Sequence, residues 1–115
     1  MKRAVFAFLA LPILLASCSI NHHPMDMTAA IQAAKTPADH EALARHYDDA
    51  AKDMQRQADE HKQMLSQYEA NKAIYGKQYQ TLTSHCQGLI RIYEQAAAEN
   101  AAMAESHRQM AAAAK

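Results

Sequence analysis

Thr36-Pro37-Ala38-Asp39-His40-Glu41-Ala42-Leu43-Ala44-Arg45-His46-Tyr47 opens a stretch that keeps one helical period as far as Asn71. Thr36 suits the N-cap, Pro37 suits the first helical position, where no N–H is needed, and Asp39 suits the positive helix end. Counted in heptads with His40 at a, the a and d places read His40, Leu43, Tyr47, Ala50, Met54, Gln57, His61, Met64, Tyr68 and Asn71. The adjoining e places add Ala44, Ala51, Ala58 and Leu65. Charged side chains such as Glu41, Arg45, Asp49, Lys52, Asp59 and Glu69 fall outside that seam. Asp48–Lys52 and Arg56–Glu60 have the i,i+4 spacing of surface pairs, each worth a few tenths of a kcal/mol. The pattern predicts an amphipathic helix about 50 Å long.

Working toward the C-terminus, Ala73-Ile74-Tyr75-Gly76-Lys77 interrupts the period. Gly76 is a natural helix terminator because it tolerates positive φ. A second period then runs to about Met110, with a and d at Tyr79, Leu82, Cys86, Leu89, Tyr93, Ala96, Asn100, Met103, His107 and Met110. Thr81, Thr83 and Ser84 are candidate caps for its first turn. A short break between two long helices makes them antiparallel neighbours. The fold class expected is all-α, a long coiled-coil-like antiparallel hairpin over residues 37–115 with its turn near 73–80. Edges such as Leu65, Ile90 and Ile92 would let two hairpins pair into a four-helix bundle as a homodimer.

Working toward the N-terminus, Met27 to Lys35 reads as a short lead-in helix and Ser19 to Asp26 as a tether. Before them, Lys2 and Arg3 precede an apolar run from Ala4 to Leu15, and Leu15-Ala16-Ser17-Cys18 closes it. A basic start, a short apolar run and small residues make a secretory signal, residues 1–17, too short to span a bilayer of about 30 Å. The cysteine at its end resembles the lipobox of bacterial lipoproteins. That resemblance implies cleavage before Cys18, acylation of its thiol and of the new N-terminus, and a lipid-anchored segment over 18–36. Ser19, not Asp, follows, which in that family favours the periplasmic face of the outer membrane. Beyond the lipobox, the chain resembles small helical, histidine-containing lipoproteins of proteobacteria. Its alanine-rich heptads and terminal Lys115 also look like the murein lipoprotein, which implies an envelope–peptidoglycan tether as a further reading.

Composition narrows the function classes. Without the leader no Phe remains, and the chain has no Trp, so alanine supplies most of the apolar surface. Fewer than about 100 residues with so little apolar volume build thin helices and no enclosed cleft, which argues against an enzyme. Losing Lys2 and Arg3 leaves ten basic and twelve acidic side chains, near −2 in formal charge, with neither sign clustered. Nucleic acid therefore has no electrostatic footprint here.

The seam is unusually polar for a coiled coil, where Leu, Ile and Val are usual. It holds imidazoles, thioethers and one thiol, Cys86, which is unpaired if Cys18 carries lipid. Thiolate, thioether and imidazole together suit Cu(I), with Zn(II) second. One expected site uses Cys86, His61 and Met64 with His85 beside them, and a second uses His40 and His107 with Met110 or His46. The competing reading is a packed seam in which Tyr and Met fill space, His hydrogen-bonds across and Cys86 is a small hydrophobe. The expected function is a non-enzymatic, outer-membrane-anchored structural or interaction module, with periplasmic soft-metal binding as the alternative.

Overall fold

The computed structural model describes residues 25–114, which form helices joined by short breaks, with no strand among them. The leader, Cys18, the His22-His23 pair and Lys115 lie outside the described residues. The order is α1 (Met27–Ala33), α2 (Pro37–Ala70), α3 (Lys72–Tyr75), a 3₁₀ turn (Gly76–Gln78) and α4 (Tyr79–Ala113). The two long helices, about 50 Å each at 1.5 Å per residue, pack against one another as an antiparallel hairpin. Among the described residues, no helix is long and apolar enough to cross a membrane.

Local chemistry sets the ends of these elements. Asp26 caps α1 by accepting from the Ala29 N–H at 3.1 Å. At α2 a full capping box forms: Thr36 Oγ1 accepts from the Asp39 N–H, and Asp39 Oδ2 accepts from the N–H groups of Thr36 and Lys35. The Lys35 and then the Thr36 N–H hold the Asp39 carboxyl below its ordinary value of 3.8. At the far end, Asn71 turns its side chain back to the Gln67 carbonyl at 2.8 Å. Gly76 sits at φ 49°, ψ −122°, where an L side chain is strained, although a Cβ there would touch nothing within 4 Å. The glycine is needed for its backbone alone. Tyr68 and Tyr75 meet edge to face at 4.9 Å, and the Lys72 ammonium lies 4.9 Å from the Tyr79 ring centre, closing this end.

Two details differ from the sequence expectation. No side chain caps α4, which begins at Tyr79 directly from the 3₁₀ turn; the Thr83 hydroxyl instead donates back to the Tyr79 and Gln80 carbonyls. Lys52 pairs with Asp49 at 3.2 Å and not with Asp48, because Asp48 reaches across the hairpin to Arg108. Arg56 does pair with Glu60, at 3.5 Å.

The larger correction concerns which stripes face each other. The a places are turned inward as expected, but along most of the seam their partners are the e places and not d, with Leu43 the buried exception at d. Ala44, Ala58, Ala97, Ala104, Ala111 and Thr83 are buried at e, whereas Met64, Met103 and Met110 at d are 43%, 42% and 42% exposed. Each helix is thus rotated by roughly 50° from an a/d seam. The physical reason is bulk: alanine at three successive e places of each helix (Ala44, Ala51 and Ala58; Ala97, Ala104 and Ala111) lets two helix backbones approach closely there, as a row of methionines does not.

Register follows from the cross-helix pairs. His61 stacks on Tyr93 and Tyr47 on His107, while Lys62 meets Glu94 and Asp48 meets Arg108. Continuing those heptads sets Ala44 level with Ala111, Ala51 with Ala104 and Ala58 with Ala97. Between the alanine levels lie larger ones, Tyr47 with His107, Met54 with Asn100, and His61 with Tyr93. The core is therefore a ladder of small and aromatic rungs, and Leu43 is its only large side chain with under 2% exposure among the described residues.

This geometry gives the hairpin two unlike faces. Asp48–Arg108 and Lys62–Glu94 both join b places, so one face carries ion pairs that bridge the helices. Antiparallel packing relates the arms by a two-fold through that face, so the d places of both arms share the other face. There α4 carries Leu82, Leu89 and Ala96, which are half-buried, and Ile92, Met103 and Met110, which are exposed, Ile92 at 61%.

Candidate functional site

Of the residues expected to bind soft metal, the structure brings together one group and leaves the other apart. Cys86 is buried on the seam, but His61 is level with Tyr93, not with the thiol. By register Cys86 stands opposite Tyr68, two turns or about 10 Å from His61 along the hairpin. Met64 is turned to the outer face and His85 is exposed on the solvent side of α4. Cys86, His61, Met64 and His85 therefore do not converge. Among the described residues, no set of three or more His, Cys, Asp or Glu side chains is placed to hold one ion.

The open end of the hairpin is different. His40 near the start of α2 and His107 near the end of α4 bring their Nδ1 atoms to 3.2 Å. Tyr47 lies nearly parallel to His107, with ring centres 5.6 Å apart and 10° between planes, and His46 meets Tyr47 edge to face at 5.6 Å. His107 is 6% exposed and His46 is 9% exposed. Burial, and then the neighbouring His40, push the His107 imidazole below its ordinary value of 6.5. The expectation that Met110 would stand by His40 is corrected: Met110 lies on the outer face, and the His40 ring instead meets His107, which the register sets level with Tyr47.

Two further features were not legible in the sequence. His61 Nδ1 is sealed from solvent with no hydrogen-bond partner among the described residues, so the ring packs on Tyr93 as an aromatic plate. Beside it, Lys62 donates to Glu94 at 2.8 Å, and Glu94, then Asp59, raises the Lys62 ammonium above its usual value of 10.5. Only the one-helix pair Lys62–Asp59 had a local signal, its i,i+3 spacing.

Next to that ion pair an open groove of about 410 Å³ runs along the charged face, lined by Ala51, Lys52, Gln55, Glu94, Ala97, Ala98 and Ala101. Its floor is alanine and it is broadly open to solvent, so it offers no wall to exclude water. No family model, curated protein or solved structure matches this chain.

Proposed function

We propose that this chain is a non-enzymatic, lipid-anchored envelope protein whose hairpin acts by pairing with a second copy of itself. In this reading residues 1–17 are removed, acylated Cys18 holds the protein on the periplasmic face of the outer membrane, and residues 19–36 tether the hairpin to it. The observation that carries the pairing is the outward stripe of α4. Leu82, Leu89, Ile92, Ala96, Met103 and Met110 recur at helical spacing there, and Glu99 is the one charge among them. All other α4 charges, Arg91, Glu94, Glu105 and Arg108, lie on its remaining sides.

The exposed sides of α2 are densely charged, with Asp49, Lys52, Asp53, Arg56, Asp59 and Glu60 in solvent, so its partner-free faces need no cover. Pairing α4 against α4, antiparallel, desolvates fewest charges. It also matches the stripe to itself, Leu82 toward Met110, Leu89 toward Met103 and Ala96 toward Ala96. The product is a four-helix bundle with α4 helices inside and α2 helices outside.

Sedimentation of residues 19–115, which include both arms, the caps and the turn, tests this at micromolar concentration. A dimer is expected, and Ile92→Glu with Met103→Glu should give a monomer of unchanged helicity. A strict monomer of the unaltered chain would overturn the pairing. Separately, Cys18→Ser should move the protein from the membrane fraction of its host to the soluble one.

A further inference from the structure

The His40–His107 contact has a geometry that a packed aromatic pair does not need. The ring centres are 5.5 Å apart with 24° between planes. That separation is the 3.2 Å between Nδ1 atoms plus one ring radius on either side, so the two nitrogens oppose each other head-on. The rings are end to end, not face to face. When both are neutral, one Nδ1 donates a proton and the other accepts it along this line. The lone pairs on the two arms of the hairpin therefore share one axis.

We propose that His40 and His107 form a two-coordinate site for a soft monovalent cation, Cu(I) or Ag(I), which replaces the shared proton. This inference is independent of the self-pairing above. Three observations select the class of ion. First, two opposed donors are a linear site; with metal–nitrogen bonds of about 2 Å the nitrogens need about 4 Å, an opening of roughly 0.8 Å along the existing axis. Second, Zn(II) requires about four donors in a tetrahedron. Among the described residues no third His, Cys, Asp or Glu joins this pair. Third, His107 is nearly sealed from water and Tyr47 lies flat against it, so solvent is poorly placed to supply missing ligands to a divalent ion. Imidazole is an accepted ligand of copper.

Binding moves the proton held between the rings from Nδ1 to Nε2 of the donor ring, so both imidazoles stay neutral, two metal–nitrogen bonds form, no proton is released and the ion keeps its oxidation state. In acid an imidazolium has no lone pair to offer the ion. Acid should therefore compete with the metal.

The test uses reduced residues 19–115 carrying Cys86→Ser, so that no thiol can bind. Titration with Ag(I), and anaerobically with Cu(I) against a chromogenic chelator, is read by native mass spectrometry as ions per chain. One ion per chain is expected, with X-ray absorption of the copper form showing nitrogen neighbours. His40→Ala, whose side chain is half-buried and tolerates truncation, should lose the ion with helicity unchanged. His107→Gln should lose it as well, and Zn(II) at the same concentration should not bind. Absence of any ion on the Cys86→Ser protein, or full retention in His40→Ala, would overturn the proposal. Neither result depends on whether the chain is a dimer.

Discussion

Replacing Ala58 by Leu sets two physical outcomes against each other with opposite sign. Ala58 has no exposed surface, and the register places it level with Ala97, itself 9% exposed. If the seam had spare room, as between ordinary leucine-lined helices, three added carbons would stabilise the hairpin by about 0.8 kcal/mol each, roughly 2.4 kcal/mol in all. If the alanine rungs are what allow the backbones to approach, no such room exists. The leucine must then leave its rotamer or push α2 from α4, costing about 1–3 kcal/mol. For a domain of this size that is a fall in Tm of at least roughly 4 °C.

Urea unfolding of residues 19–115, followed by far-ultraviolet circular dichroism at fixed protein concentration, measures the difference. Fixed concentration matters because pairing would couple stability to mass action. Gln63→Leu puts the same residue on an exposed side of α2 and should stay within about 0.5 kcal/mol. A higher urea midpoint for Ala58→Leu would refute the close-approach account, since it would show that the level of Ala58 and Ala97 holds unfilled space.

The turn makes a second prediction through two glycines of opposite role. Gly76→Ala should destabilise by about 1–2 kcal/mol from backbone strain alone, because φ is 49° and nothing crowds the new methyl. Gly88→Ala should stabilise by about 1 kcal/mol, since Gly88 lies within α4 with only an Arg91 guanidinium nitrogen at 3.9 Å; equal effects from the two would contradict the turn geometry. A third concerns pH. His107 in the fold titrates below its ordinary 6.5, so between the folded value and 6.5 the unfolded chain binds more protons. Stability is fully present above about pH 6.5 and falls as the pH drops through that window. Urea midpoints at about pH 5 and about pH 7.5 should differ, and His107→Gln should reduce the difference; an unchanged difference would remove His107 as its source.

The sequence by itself determined the parts of this protein that depend on a few neighbouring residues. The Thr36–Asp39 box, the long periods over α2 and α4, and the break at Gly76 all rest on interactions within one turn of backbone, and each was legible. The inward turn of His40, Tyr47, His61, Cys86, Tyr93 and His107 was legible too, because these residues share the a place in both helices. What the sequence left open was the other half of the seam. On a single helix d and e flank a equally well, so Met64, Met103 and Met110 looked as interior as Ala44, Ala58 and Ala104.

Only packing of one helix on another breaks that tie: small side chains at e permit a close approach, and the methionines at d are left on the outer face. The same choice of rotation and register separated Cys86 from His61 and left the His40 ring against His107 in place of Met110. Local chemistry therefore wrote the rods and the bend, whereas the meeting of side chains far apart in the chain was decided by the fit between two surfaces that neither helix contains alone.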